Sequence, residues 1–263
     1  MLALVSGRGG LPARVAAAQN IAPLICVLDG FAPDGLEPDI TFRLEHLGTL
    51  LADLTARGVT DVCFCGAIER PPFDPAVLDA ATLPLVPDLM RAMGAGDDAG
   101  LRAVMALFEA RGFTMHAAHV LAPDIVAPTG LLSGDAIPDT MQSDIARADA
   151  VLTALAPLDV GQGCVVGAGQ VWGIEATGGT DHLLQTLPDA VRKAHAVLVK
   201  TPKEGQDLRA DMPTVGLATI EAVVEAGLAG LVIDAGQVIM LEPEETLARA
   251  QAAGLVLWSR AGR

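Results

Sequence analysis

The sequence predicts an α/β protein of two domains: an N-terminal Rossmann-like parallel sheet over residues 1–132 and a C-terminal mixed α/β domain over residues 133–263. Three observations predict it. Short apolar runs alternate with amphipathic stretches through the first half, and such β-α-β alternation implies a mainly parallel sheet with helices on its faces. Residues 122–140 are rich in Pro, Gly, Asp and Thr and lack periodicity, which marks an interdomain linker. With 51% hydrophobic and 19% charged residues among 263, there is enough apolar surface to offset the chain entropy lost on folding.

Residues 2–5 read as a buried strand, residues 7–10 as a glycine turn, and residues 12–20 as a helix with Pro12 near its first position. A second strand over 21–28, a helix over 44–57 and a strand over 61–65 continue the alternation. Residues 83–111 are helical, broken at 96–98, where Asp97 or Asp98 caps a helix starting near Ala99. Residues 116–120 read as a further strand. The second half opens with a helix over 144–155, and residues 163–169 and 170–176 alternate as a hairpin. Gly178 and Gly179 precede a helix from Thr180, and a strand over 196–199 runs into Lys200. Residues 200–213 form the most polar, least periodic loop. The tail reads as helix 219–226, strands 230–233 and 238–241, helix 243–253 and strand 255–258.

Charge and composition exclude several functions. With 17 basic and 32 acidic residues the net charge is −15, which disfavours nucleic acid, because polyphosphate binding rests on many Lys and Arg contacts. Aromatics are 3% and Tyr is absent, so rows of base-stacking platforms are missing as well. The 4 Cys, at 26, 63, 65 and 164, lie mostly in apolar runs and read as buried thiols. Cys63 and Cys65 are expected to face opposite sides of their strand, leaving no metal or redox pair. The five His form no H-E-x-x-H pattern, and His116 and His119, three apart, are expected to face opposite ways on a strand, so a zinc site is not expected. Met1 leads straight into a strand with no basic leader, so the cytoplasm is the expected compartment. No apolar run approaches the ~20 residues of a spanning helix, so membrane contact is peripheral at most.

Three segments could carry chemistry. Ser6-Gly7-Arg8-Gly9-Gly10-Leu11-Pro12 lies between a strand and a helix, where glycines let backbone N–H groups approach an anion. It is either such a cradle or a tight turn. Pro12 occupies the sixth position of the dinucleotide fingerprint, while Asp29 sits near where an acidic residue would hold a ribose. Arg70 follows the strand bearing Cys63 and Cys65, at the rim where α/β sheets bind ligands; it reads as a phosphate ligand or a solvated arginine. The third segment is the strongest. Glu175, Thr180 and Asp181 precede a loop holding Lys200, Lys203, Gln206, Asp207, Arg209 and Asp211. Cations there would hold phosphate oxygens while carboxylates hold Mg²⁺ or orient water.

With those segments in view, the chain resembles the LpxI family of UDP-2,3-diacylglucosamine pyrophosphatases. The resemblance is carried by Gly7-Arg8-Gly9-Gly10-Leu11-Pro12, Cys65-Gly66 with Arg70-Pro71, Gly96-Asp97-Asp98, Asp159-Val160-Gly161-Gln162-Gly163, Glu175 with Gly179-Thr180-Asp181, and above all residues 200–216. Glu204 departs from the family pattern, which has Pro there. The resemblance implies Mg²⁺-dependent hydrolysis of a glycolipid nucleotide to UMP and 2,3-diacylglucosamine 1-phosphate in lipid A biosynthesis. It also implies a ligand held between two domains and an essential aspartate at Asp211. Together the readings make Asp211, Lys203 and Arg209 catalytic and Asp211 and Asp207 metal ligands. Gly9, Gly10, Arg70, Asp98, Thr180, Asp181, Lys200 and Gln206 are then expected to bind substrate. A nicotinamide-dependent oxidoreductase and a non-catalytic nucleotide-sugar or lipid-binding protein are the alternatives.

Overall fold

The computed structural model describes residues 1–69, 71–94, 96–209 and 211–262. Its first compact unit comprises Met1–Pro123 together with Asp207–Asp211. The elements are β1 (Leu2–Ser6), α1 (Leu11–Ala17), β2 (Leu24–Leu28), β3 (Ile40–Phe42), α2 (Leu47–Ala56), β4 (Asp61–Cys65), α3 (Val86–Met93), α4 (Asp97–Glu109), β5 (Thr114–His116) and α5 (Ala118–Leu121). Strands β1, β2 and β4 are short apolar runs buried along most of their length, as a sheet covered on both faces requires. The sheet order is β3-β2-β1-β4-β5 with every pair parallel. The order therefore reverses beside β1, and the crevice outside the carboxyl ends of β1 and β4 is where such sheets take ligands.

That crevice depends on two close glycines. A Cβ on Gly66, at φ +91°, would lie 2.6 Å from the Gly7 carbonyl oxygen. The two strands thus leave the sheet in backbone contact, sealed by Gly7 N–H to Cys65 O at 2.8 Å and Arg8 N–H to Ala67 O at 2.9 Å.

The second unit comprises Asp124–Gln206 and Met212–Arg263. It contains β6 (Gly130–Ser133), α6 (Asp139–Leu155), β7 (Gly163–Gly167), β8 (Gln170–Ile174), α7 (Gly179–Gln185), β9 (Val197–Lys200), β10 (Thr214–Val215), α8 (Leu217–Ala226), β11 (Gly230–Asp234), β12 (Ile239–Met240), α9 (Pro243–Ala252) and β13 (Val256–Arg260). Its main sheet runs β6-β13-β11-β9-β7-β8. Strands β9, β11 and β13 are parallel, while β6, β7 and β8 pair antiparallel, so the sheet is mixed as expected. Apolar clusters cover both of its faces, one around Leu231 and Ile220, the other around Ile145 and Val199.

Three expectations change. The boundary falls after Pro123 rather than Leu132, because β6, inside the supposed linker, pairs with β13 of the second sheet. A four-residue edge strand is too short to show a period. Helix α6 likewise starts at Asp139, within the same stretch. Residues 116–120 are not one strand: β5 ends at His116 and α5 begins at Ala118.

Candidate functional site

The crevice of the first unit opens into a cavity of about 440 Å³ bounded by Val5, Phe64, Gly66, Val104, Phe108 and Asp211, among others. Burial orients it. Leu47 and Phe108 are 1% exposed at its closed end, while Ile68 is 39% exposed at its mouth. The Phe64 and Phe108 rings pack edge to face with centroids 5.2 Å apart. Among the described lining residues only Glu69 and Asp211 are charged, so the cavity suits an apolar chain with one polar end.

Asp211 reaches that wall through a braced segment. Asp98, Arg102 and Glu109 lie at i, i+4 and i+11 on one face of α4. The Asp207 N–H donates to Asp98 Oδ1 at 3.2 Å, and Arg102 pairs with the other Asp98 oxygen at 3.1 Å. Arg209 holds both oxygens of Asp207 and reaches Glu109 at 2.8 Å. The Asp211 N–H then donates to Asp207 O at 3.3 Å. Hydrogen bonds from Arg209 outweigh burial and keep the Asp207 carboxyl below its ordinary range, and the same pair raises the Arg209 guanidinium.

This bracing revises three roles. Asp98 is occupied by Asp207 and Arg102, and Gly96 rather than either aspartate is the N-cap of α4. Arg209 has its charge balanced by two carboxylates, so it braces the segment instead of facing a phosphate. Asp207 has both oxygens on Arg209 and does not suit a metal. No group of three or more His, Cys, Asp or Glu among the described residues is arranged to hold an ion. Of the glycine turn, Gly7 and Arg8 have their amides bonded, so an anion cradle rests on Gly9 and Gly10. Arg70 lies outside the described residues.

In the second unit, Lys200 closes β9 and is 8% exposed. Its ammonium donates to Thr180 Oγ1 at 2.6 Å, and that hydroxyl donates to Glu175 Oε2 at 2.6 Å. Lys203 is ion-paired with Asp159, and its N–H donates to Gln206 Oε1 at 2.9 Å. Asp181 is exposed in the first turn of α7. The polar loop is thus divided after Gln206: its first part belongs to this unit and residues 207–211 to the other. One mixed-charge cluster was expected from the spacing.

The sequence reading missed a buried network. Arg260, at the end of β13, donates from Nε to Asp234 Oδ1 at 2.7 Å and from both terminal nitrogens to Asp149 at 2.7 Å. Asp234 ends β11 and accepts the Thr201 hydroxyl through its other oxygen. Burial alone would lower the Arg260 pKa, but Asp149 and Asp234 raise it. Asp234 and Arg260 each end an apolar strand and Asp149 lies within α6, so only the packing of the sheet against that helix joins them.

The thiols behave as expected in one respect. Burial pushes Cys26 up to about 12 and Cys164 up to about 11, so both stay protonated at neutral pH. Cys63 and Cys65 do not turn apart. Residues two apart share a face, and hydrogen bonding between the two side chains raises the Cys63 thiol further.

Residues 1–125 match the model of the LpxI N-terminal domain and residues 128–258 that of the LpxI C-terminal domain. The chain is 36% identical over 266 residues to UDP-2,3-diacylglucosamine pyrophosphatase LpxI of Caulobacter vibrioides, covering 97% of this chain and 95% of that protein.

Proposed function

The chain belongs to the LpxI family, and from that premise we propose that it hydrolyses the pyrophosphate bond of UDP-2,3-diacylglucosamine. Water is consumed, and UMP and 2,3-diacylglucosamine 1-phosphate leave, a step of lipid A biosynthesis. The observation that carries the reading is the apolar cavity with Asp211 on its wall. A nucleotide with no lipid needs no such cavity, and a simple lipid carrier needs no braced carboxylate beside it.

In this reading an acyl chain enters the cavity between Ile68 and Phe108. Asp211 orients the attacking water or holds Mg²⁺. Lys200 and Lys203 balance charge on the phosphates as the bond breaks. Gly9 and Gly10 offer backbone N–H groups, and Arg209, Asp207 and Asp98 keep Asp211 in place. Mg²⁺ commonly takes one or two carboxylates plus substrate phosphates instead of a protein cage, and Asp211 fits that pattern where Asp207 does not. When bound, the ion would neutralise charge on the diphosphate.

No helix among the described residues is long and apolar enough to cross a membrane. A cytoplasmic protein that touches the bilayer at its periphery accords with a glycolipid substrate. The test is UMP release from UDP-2,3-diacylglucosamine with and without EDTA. Release abolished by EDTA and restored by Mg²⁺ is expected. Binding without release would favour the carrier alternative, and release untouched by EDTA would remove the metal.

A further inference from the structure

We propose that Thr201, Asp234 and Arg260 are positioning residues that fix the loop bearing Lys200 and Lys203, a role that rests on the pyrophosphatase reading above. Strands β9, β11 and β13 are adjacent and parallel, with Ile233 opposite Lys200 and Asp234 opposite Arg260. Their carboxyl ends therefore meet along one edge of the sheet.

Thr201 is the first residue beyond that edge and is 1% exposed. It is tied twice. Its N–H donates to Gln162 O at 2.9 Å, and its hydroxyl donates to Asp234. Asp234, 2% exposed, is held in turn by Arg260 Nε, while the rest of the guanidinium grips Asp149 on α6. One hydroxyl thus links the start of the loop to a helix and two strands. Beyond Thr201 the loop closes on itself, with the Gln206 N–H donating to Lys203 O at 3.0 Å and the Lys203 N–H donating to the Gln206 side chain.

Stability does not account for this arrangement. Burying the Asp234 carboxylate and the Arg260 guanidinium, with Asp149 partly covered beside them, carries a desolvation cost that pairing barely recovers, and apolar packing of the same volume often serves a fold equally well. What apolar packing lacks is direction. The planar fork of Arg260 fixes the orientation of both carboxylates, which leaves one Asp234 oxygen aimed at Thr201. The ammonium groups of Lys200, one residue before, and Lys203, two after, take their places from that anchor.

Thr201→Val keeps the shape and removes the hydroxyl, and Thr201→Ser keeps the hydroxyl. For Thr201→Val, kcat is expected to fall by roughly 10²-fold with KM nearly unchanged, as for a misplaced catalytic group. The melting temperature should fall, because buried Asp234 loses a donor, so kcat is compared well below it, and Thr201→Ser should recover most of kcat. Wild-type kcat in folded Thr201→Val, or equal loss in Thr201→Ser, would overturn the proposal. Should Thr201→Val fail to fold, Arg260→Lys, which keeps the charge and loses the fork, is expected to show the same loss of kcat; an unchanged kcat would overturn the proposal. If the wild type releases no UMP, the pyrophosphatase reading fails by itself. Amide hydrogen exchange over residues 201–206 then decides the anchoring: faster exchange in Thr201→Val alone supports it, and unchanged exchange overturns it.

Discussion

Removing the Asp211 carboxylate tests the role on which the functional reading depends. Asp211→Ala is expected to melt with the wild type and to lose turnover by roughly 10²-fold or more; near-wild-type kcat in the purified variant would exclude Asp211 from the chemistry. Lys203→Ala should lower kcat more than it raises KM, since a cation acting on the breaking bond matters most in the transition state. A change confined to KM would reassign Lys203 to ground-state binding. Asp207 offers a pH test. Its folded-state pKa is depressed by Arg209, so its contribution is present above the unfolded carboxylate range and lost as pH falls through the depressed value. Asp207→Asn should therefore be less stable than the wild type at neutral pH, by about 1 kcal/mol or less for a partly exposed pair. Urea melts should converge in acid, and a constant gap would show that the charge is irrelevant. Lys200, Lys203 and Asp211 stand out as candidates in the sequence because polar residues without period follow a buried strand. Asp234 and Arg260 were not, since each ends a strand like any other and their pairing exists only in the register of β11 and β13.

Among the elements, β1 and β4 were the most legible, because a parallel strand buried on both faces writes itself as a continuous apolar run. Strand β6 and helix α5 were hidden: four residues carry no readable period, and Gly130 and Gly134 around β6 look like loop composition. The brace on α4 was equally hidden: Asp98 was expected to cap the helix or bind substrate, and nothing in the spacing of Arg102 and Glu109 shows that Asp207 and Arg209 bond to that face. The junction of β1 and β4 makes a graded prediction. Gly9 and Gly66 both have φ +91°, but space around Gly9 is open while a Cβ on Gly66 meets Gly7 backbone at 2.6 Å. Gly9→Ala should cost about 1–2 kcal/mol from backbone conformation alone. Gly66→Ala adds overpacking of typically 1–3 kcal/mol. Chemical denaturation should rank the two in that order, and equal costs would mean that the contact between the strands is soft.

For the whole molecule, a net charge of −15 implies self-repulsion that salt relieves. The melting temperature should rise as NaCl goes from about 10 mM to about 0.3 M, where the Debye length is well under 10 Å; a fall would mean that the ion pairs outweigh the repulsion. The two family models meet end to end in sequence, yet the first unit needs residues 207–211 from far beyond that junction. On the ribosome this sets an order of events. At roughly 5–20 residues per second, the stretch from Pro123 to Asp211 takes on the order of 4–18 seconds to make. Through that interval the nascent first unit has the residues of its parallel sheet and of most of its cavity wall, Glu69 included, but neither the partner of the α4 face nor Asp211. A newly made chain therefore passes through a stage in which most of the apolar wall has been made before Asp211 arrives.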